Sequence, residues 1–322
     1  ATPDRIIDFD FAINLIDQIS QFKVPSMKFN WRGEPLLHPR LEEMISYAKS
    51  QGIIETLINT NATKLTKKRS QAIIESGLDH MIYSFDGGTK ETYEKNRPGR
   101  FKENKFEEVL QNIQNFKIIR DSMNSKFPRT KIQMILTEDT FNEQESFFKL
   151  FRNYVDEVTV TQYSERGGNI NDLDKSDQTK VLQKAKEIGI DNKDNLSYLK
   201  TGSGKIYVSR KRKPCEQPFQ RLLITYDGRV SMCCYDWGAK HTIGCLKEIP
   251  NDPNYDKYIP LENSRKQTRA FSYLKDIKKP NQYVKLPRKI STLKETWNSL
   301  IIQNARQFHM EGKINNLEIC KG

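Results

Sequence analysis

Short strand-like segments alternate with helical segments over the first half of the chain, and this alternation restricts the fold more than any other feature. The strand-like segments are rich in Ile, Thr, Phe and Tyr, and the segments between them carry apolar residues at helical spacing. The predicted strands are residues 26–31, 54–60, 80–85, 130–136 and 157–163, and the predicted helices are residues 6–22, 38–51, 67–76, 105–119 and 143–154. Alternating strands and helices of this length predict βα units around a parallel sheet.

The chain begins within the first predicted helix. A parallel βα unit normally starts with a strand, so we expect a first strand upstream of Ala1. The alternative is a natural Ala-Thr terminus left by removal of methionine, which would leave the first helix without a strand to follow.

Size and composition indicate a globular protein. The 322 residues suffice for one large domain or two smaller ones, and 36% of them are hydrophobic and 29% charged. No apolar run approaches the roughly 20 residues that a membrane-spanning helix needs, and no signal segment is present. We therefore expect a cytoplasmic protein with no membrane partner.

The chain is basic, with 53 Lys and Arg against 41 Asp and Glu. Basic residues cluster at 64–69 and 209–214. Scattered lysines are more often a solvated surface than a nucleic-acid site, and no nucleic-acid partner is inferred from them.

Polar side chains collect where three of the predicted strands end. They are Glu34, Asn59, Asn61, Ser84 and Asp86. The carboxyl ends of parallel strands are where α/β proteins place ligand sites, although Asn and Asp at such positions also cap helices and form turns.

The first of these strand ends is a Gly-Glu-Pro turn. Gly33 tolerates backbone angles that other residues avoid, and Pro35 cannot donate to a sheet ladder, so together they stop the strand abruptly. The turn leaves the carboxylate of Glu34 at the mouth of whatever the strand helps to build.

The alternation stops after Asn171, and residues 174–204 are polar and irregular. Beyond them, residues 221–234 form two β-like runs around Asp227-Gly228, which predicts a hairpin. Residues 250–288 have little periodicity and suggest an inserted loop, and residues 291–311 predict an amphipathic helix.

Five cysteines in a chain without a secretory signal suit metal or redox chemistry better than disulfides. The predicted hairpin brings Cys233 towards the segment that bears Cys215, and Cys320 would add a third thiolate. Zinc held by these cysteines or by Cys234 or Cys245 with His241 is the competing interpretation, and Cys234 and Cys245 also suit a buried structural role.

The order "GEPLLHP", "NTNAT", "SFDGGTKETYEKNRPG" and a cysteine-bearing hairpin resembles radical S-adenosylmethionine (SAM) enzymes with a C-terminal SPASM or twitch domain. Cys215, Gly228 and Cys233 fit that domain's C-x(9 to 15)-G-x4-C pattern. The resemblance implies an α/β fold: a partial (β/α)6 TIM-like barrel lacking its first strand, followed by a small α+β domain. The implied domains are a barrel at 1–171, a linker at 172–204 and a SPASM/twitch domain at 205–322 with the inserted loop near 250–288.

The resemblance also implies a SAM site. Glu34, in the turn of Gly33 and Pro35, would accept hydrogen bonds from the methionine ammonium of SAM. Ser84 and Arg97 would meet the methionine carboxylate, and Asn59 and Asn61 lie where the family contacts ribose or adenine; Asp86 is a further expected member of the site. Arg32 stands where the family often has a second glycine.

The cysteines would hold an auxiliary [4Fe-4S] cluster. The resemblance implies Cys215, Cys233 and Cys320 as ligands, and the fourth ligand is either missing or supplied by Cys234 or Cys245. The cluster would either take an electron from a substrate radical or shape the pocket.

The family's C-x3-C-x2-C motif, which holds the cluster that cleaves SAM, does not occur in the sequence. In the family it follows the first strand, so the expected missing strand and the missing motif have one explanation. These 322 residues alone should then not start a radical reaction.

The implied activity is hydrogen abstraction from a peptide or small-molecule substrate, with a reductant such as flavodoxin or ferredoxin. Two alternatives remain: a degenerate barrel that binds a peptide, nucleotide or partner protein without catalysis, and a basic nucleic-acid-binding enzyme.

Overall fold

The structure is a computed structural model that describes residues 6–99, 105–162, 198–200, 206–208, 214–234, 236, 242–248, 275–276, 279–283, 290–314, 317 and 320. The chain divides into two units, one of residues 6–163 and one of residues 1–5 with 164–322. The domain boundary predicted at residue 171 lies outside the described residues, as do most of the predicted linker 172–204, most of the predicted insertion 250–288 and His241.

The first unit is built on a parallel sheet. Its strands are β1 (Ser26–Lys28), β2 (Glu55–Thr60), β3 (His80–Ser84), β4 (Arg129–Leu136) and β5 (Glu157–Gln162). They pair in the order β1-β2-β3-β4-β5, and every pair is parallel. The predicted α/β class with five parallel strands is confirmed.

The first strand is shorter than predicted because, near its end, a side-chain oxygen takes the place of a backbone acceptor in the pairing with β2. β1 ends at Lys28 rather than Trp31, and the Oδ1 atom of Asn30 accepts a hydrogen bond from the backbone N–H of Asn59 at 2.8 Å. The side chain thus continues the pairing with β2.

The first helix of the first unit precedes β1 in sequence, and the other helices lie between successive strands. In chain order, the helices are α1 (Phe9–Gln21), α2 (Leu41–Ser50), α3 (Lys67–Glu75), α4 (Lys90–Asn96), α5 (Phe106–Ser122) and α6 (Gln144–Phe151). Two 3-10 turns, Pro35–Leu37 and Phe141–Glu143, precede α2 and α6. The helix α4 has no counterpart among the predicted elements.

The sheet has a buried face and a half-buried face. Alternate residues of β2 and β3 are buried, and the residues between them, which include Asn59 and Ser84, are half-buried. Ile58 and Met81 on the buried face join a core that includes Ile45 of α2 and Phe116 of α5. Helices therefore cover one face and leave the other accessible to a ligand.

The second unit consists of short elements. They are β6 (Tyr198–Lys200), β7 (Ile206–Val208), α7 (Gln217–Gln220), β8 (Leu223–Ile224), β9 (Arg229–Ser231), β10 (Gly244–Cys245), β11 (Lys275–Asp276), β12 (Lys279–Tyr283), α8 (Leu293–Trp297) and α9 (Leu300–Met310). The strands β8, β9 and β10 form an antiparallel sheet.

The hairpin predicted around Asp227-Gly228 is confirmed, since β8 pairs with β9 through Leu223 and Ser231. Gly228 has φ +83°, and a Cβ atom there would lie 2.7 Å from the Cβ atom of Lys247. Both the backbone angle and the space therefore require glycine.

In the part of the chain that the structure describes, no helix combines the length and the apolar character needed to cross a membrane.

Candidate functional site

The Gly-Glu-Pro turn presents Glu34 to the end of β2. Gly33 has φ +76°, and a Cβ atom there would meet nothing within 4 Å, so the backbone angle alone requires glycine. Pro35 is the first residue of the 3-10 turn, where a backbone N–H is not needed. The turn therefore fixes the backbone on both sides of Glu34.

The Glu34 carboxylate is held by three donors. Its Oε1 atom accepts from the Thr60 hydroxyl at 2.6 Å and from the Leu36 backbone N–H at 3.0 Å, and its Oε2 atom accepts from the Asn61 N–H at 2.7 Å. A carboxylate offers about four acceptor positions. Oε1 uses two of them and Oε2 uses one, so Oε2 keeps one position for a further donor.

Opposing effects act on the charge of Glu34. Burial raises the pKa of its carboxyl group above 4.5, and the three hydrogen bonds and the positive charge of Arg97 act to lower it. The protein thus buries this carboxylate while surrounding its ionised form with donors.

Arg97 and Asp86 form an ion pair beside this carboxylate. The Nε atom of Arg97 lies 2.7 Å, and a terminal nitrogen 2.6 Å, from the Oδ2 atom of Asp86. The Oδ1 atom of Asp86 accepts from the backbone N–H of Ile135 in β4 at 2.9 Å. Asp86, expected from the sequence among the cofactor-binding residues, therefore anchors Arg97 to the sheet.

The two asparagines at the end of β2 differ in their surroundings. The Oδ1 atom of Asn61 accepts from the N–H and the hydroxyl of Thr63, at 3.0 and 2.7 Å, which is a turn-forming arrangement. The Oδ1 atom of Asn59 is buried and has no hydrogen-bond partner among the described residues. A buried acceptor without a donor is costly, so Asn59 is the better candidate for a ligand contact.

Ser84, the last residue of β3, pairs with Gln133 and belongs to the same half-buried face as Asn59. The sheet therefore places Ser84 beside β4 and Asn59 beside β3 at its carboxyl edge. Asn59 and Ser84 lie in the last two residues of β2 and β3, and Glu34, Asn61 and Asp86 follow the ends of β1, β2 and β3.

The loop that leads from Asp86 to Arg97 depends on a residue that the sequence did not single out. The carboxylate of Glu143 accepts from the N–H of Gly88 at 2.7 Å, from the N–H and hydroxyl of Thr89 at 3.2 and 2.8 Å, and from the hydroxyl of Thr92 at 2.6 Å. Burial raises the pKa of Glu143, and these hydrogen bonds outweigh burial, so its pKa is lowered overall. Glu143 thus fixes the start of α4, at whose end Arg97 lies.

Two glycines let this loop pack closely. A Cβ atom at Gly87 would lie 2.5 Å from the backbone N of Tyr93, and one at Gly88 would lie 2.5 Å from the carbonyl O of Glu143. The ring of Tyr93 stacks on Phe85 with a centroid distance of 4.0 Å. The sequence "FDGGT" is therefore a packing requirement as well as a turn.

In the second unit, His309 connects two of the predicted cluster ligands. Its Nδ1 atom lies 3.2 Å from the backbone N of Cys215, and its Nε2 atom lies 3.9 Å from the Sγ atom of Cys320. Cys215 and Cys320 are far apart in sequence, and the structure brings both to one buried imidazole.

The other cysteines lie on or near the antiparallel sheet. Cys233 follows β9, and its N–H donates to the Ser231 hydroxyl at 3.4 Å. Burial raises the pKa of the Cys245 thiol to about 11, against the smaller lowering effect of Arg229. Without a metal ion, the Cys245 thiol is therefore protonated at neutral pH.

None of the five cysteines, all of which lie in the described part of the chain, forms a disulfide bond, and this suits thiolate ligation. No group of three His, Cys, Asp or Glu side chains among the described residues is already arranged to hold a metal ion. The donors therefore fit an iron-sulfur cluster by their chemistry, with Cys215 and Cys320 gathered at His309.

Comparison with known families matches two parts of the chain. Residues 31–151 match the radical SAM superfamily, and residues 215–275 match SPASM, an iron-sulfur cluster-binding domain. The first match contains the Gly-Glu-Pro turn and Arg97, and the second contains Cys215 and Cys233. Both domains imply iron-sulfur clusters.

Two curated relatives share parts of the sequence. GTP 3',8-cyclase of Limosilactobacillus fermentum is 25% identical over 248 residues, which cover 72% of this chain and 70% of that protein. The tungsten-containing aldehyde ferredoxin oxidoreductase cofactor-modifying protein of Pyrococcus furiosus is 32% identical over 83 residues. That second match covers 25% of this chain and only 22% of the relative.

Two solved structures share the fold. The native anSMEcpe structure with bound AdoMet has a TM-score of 0.54 and 16% identity, covering 97% of this chain and 91% of that one. Streptococcus suis SuiB bound to the precursor peptide SuiA has a TM-score of 0.50 and 14% identity, covering 73% of this chain and 55% of that one. At these identities the likeness concerns the fold alone.

Proposed function

From the premise that this chain belongs to the radical SAM superfamily and carries a SPASM domain, we propose that its first unit binds SAM at the carboxyl edge of the sheet. The protein is proposed to act as an enzyme that abstracts hydrogen from a peptide or small-molecule substrate. When bound and reduced, SAM supplies a 5′-deoxyadenosyl radical for that step.

The arrangement around Glu34 carries the proposal. Three protein donors hold the carboxylate ready for a cation, and the remaining acceptor position on Oε2 suits the ammonium of the methionine moiety. Burial raises the pKa of Glu34 and so disfavours its ionised form. A turn alone does not require a buried carboxylate, whereas a buried site for a cationic ligand does.

The neighbouring residues suit the other groups of SAM. The buried Oδ1 atom of Asn59 lacks a donor among the described residues, and a ribose hydroxyl or the adenine amino group can supply one. Ser84 offers a hydroxyl at the end of β3, and Arg97 offers positive charge for the methionine carboxylate. Because Asp86 already holds Arg97, we assign Asp86 the positioning of that guanidinium rather than a direct contact.

The second unit is proposed to hold the auxiliary cluster. Cys215, Cys233 and Cys320 are the proposed ligands, and Cys234 or Cys245 would supply the fourth where this chain provides one. The residues of this chain are proposed to bind and orient SAM at the carboxyl edge of the sheet.

The substrate class rests on relatives. SuiB, which shares the fold, is solved with its precursor peptide, and a cyclase that acts on GTP shares sequence. These similarities support a peptide or a small molecule as the substrate. A reductant such as flavodoxin or ferredoxin is proposed to supply the electron.

The test is Glu34→Gln, which keeps the side-chain volume and removes the charge. SAM is titrated calorimetrically into the full chain and into the variant. We expect the variant to bind roughly ten- to a hundredfold more weakly, because a hydrogen bond to a charged group contributes on the order of 1.5 to 3 kcal/mol.

The matched control is Glu107→Gln, which removes an exposed carboxylate paired with Lys90 in the same unit. It should leave SAM affinity unchanged. Equal affinity in wild type and Glu34→Gln, or no binding to the wild type, would contradict the proposal. Thermal melts show separately how much the variant loses in stability.

A further inference from the structure

His309 is a buried histidine that contacts two of the proposed cluster ligands. It lies near the end of α9 with 1% of its surface exposed. One ring nitrogen faces the backbone of Cys215 and the other faces the thiol of Cys320. A buried imidazole between two cysteines needs an explanation beyond packing.

The first contact determines the tautomer. The backbone N–H of Cys215 can only donate, so Nδ1 of His309 must accept and carries no proton. A neutral imidazole then carries its proton on Nε2. The Nε2–H group is therefore the donor that faces the Sγ atom of Cys320 at 3.9 Å.

We propose that His309 is a positioning residue of the auxiliary cluster: it fixes the backbone of Cys215 and donates an N–H···S hydrogen bond to the Cys320 thiolate. This inference rests on the proposed function of the second unit. The imidazole acts through the two cysteines, since its Nδ1 atom accepts from the backbone of Cys215 and its Nε2 atom faces the thiol of Cys320.

Two consequences follow for the cluster. A donor to a ligating sulfur stabilises the more negative reduced state, so His309 should raise the reduction potential. By fixing the backbone of one ligand and the thiolate of another, it should also strengthen cluster retention.

The experiment compares His309→Leu, which removes both interactions, with His309→Gln, which keeps an N–H donor. His80→Leu, in the other unit, is the matched control; His80 contacts Glu55 on the surface of the sheet unit. Each full chain is reconstituted anaerobically with iron and sulfide, and iron content, visible absorption and reduction potential are measured.

We expect His309→Leu to lose iron roughly ten to a hundred times more readily than wild type, as for other residues that orient metal ligands. Its remaining cluster should have a more negative potential. The iron retention and the reduction potential of His309→Gln should lie between those of wild type and His309→Leu. Both properties of His80→Leu should match wild type. Unchanged retention and potential in His309→Leu would overturn the inference while leaving the cluster itself established.

A second measurement needs no variant. Pulsed electron paramagnetic resonance of the reduced wild type labelled with ¹⁵N-histidine should show a weak nitrogen coupling, as for a hydrogen-bonded imidazole. A strong coupling, which indicates direct ligation, or no coupling would overturn the inference even if His309→Leu fails to fold. A wild type that takes up no iron and sulfide would overturn the cluster proposal itself.

Discussion

At the scale of single residues, hydrogen-bond donors decide what burial does to a carboxyl group. Burial is the largest influence on both Glu34 and Asp156, but it raises the pKa of Glu34, whereas donors from Arg120 and Thr130 hold the pKa of Asp156 at about 2. Because the pKa of Glu34 is higher in the folded protein than in the unfolded chain, the free energy of unfolding falls as the pH rises above 4.5. Asp156 instead adds stability above pH 3.8 that is lost as the pH falls towards 2.

Asp156→Asn tests this contribution. The carboxylate of Asp156 accepts from Arg120 at 2.6 Å and from the N–H of Thr130 at 2.7 Å, and the Arg120 side chain is only 5% exposed. The depressed pKa corresponds to about 2 kcal/mol, and removing one partner of a buried pair costs on the order of 3 kcal/mol. We expect a loss of about 3 kcal/mol at pH 7 in urea unfolding.

The pH dependence gives a second readout for Asp156. Between about pH 4 and pH 2 the wild type should lose stability that Asp156→Asn has already lost, so the two unfolding curves should converge. Asp121→Asn, which removes an exposed carboxylate paired with Lys117, should cost less than about 1 kcal/mol. Parallel curves for wild type and Asp156→Asn would refute the assignment.

At the scale of elements, the short helix α4 positions the site through contacts at both of its ends. Glu143 holds the start of the helix, and Arg97 caps its end. Between them, the ring of Tyr93 stacks on Phe85. The helix has only seven residues, too few to be stable by itself. The placement of Arg97 therefore depends on tertiary contacts.

Glu143→Gln should destabilise the first unit by about 2 kcal/mol, because an amide cannot accept on both of its polar atoms. At least one of the donors at Gly88, Thr89 or Thr92 then loses its partner. Hydrogen exchange at the backbone amides of Gly88 and Thr89 should accelerate.

The neighbouring helix α6 offers the control for Glu143. Glu145→Gln removes an 81% exposed carboxylate paired with Lys149 and should change stability by less than about 0.5 kcal/mol. Equal effects of the two variants, or unchanged exchange at Gly88, would show that Glu143 does not fix the start of α4.

At the scale of the whole molecule, the two proposed sites belong to different units. The residues that contact Glu34 all lie between residues 6 and 163, and His309, Cys215 and Cys320 all lie beyond residue 163. The contacts described for each site are thus internal to one unit.

This division predicts that the two binding properties separate. Cys215→Ala should lose most of the reconstituted iron and keep its SAM affinity within about twofold, and Glu34→Gln should keep its iron and lose SAM affinity; about 0.4 kcal/mol corresponds to a twofold change. Iron analysis and calorimetry on both variants test this. A single variant that loses both properties would contradict separate sites.

The parallel sheet and the polar residues at its edge were predictable from the amino-acid sequence. Apolar periodicity is a local property, so β2 to β5 begin and end within one residue of their predicted bounds. The Gly-Glu-Pro turn, the polar strand ends and the hairpin at Asp227-Gly228 were predictable for the same reason, because each depends on neighbouring residues.

Which of these residues contact one another became visible in the folded protein alone. The predicted helix 291–311 is two helices, α8 and α9, because Asn298 ends one and Ser299 caps the next. Glu143 holds a loop more than 50 residues away in sequence, and His309 joins two cysteines from opposite ends of the second unit. Such contacts leave no periodic signal, because they are set by how the chain packs in space rather than by the order of adjacent residues.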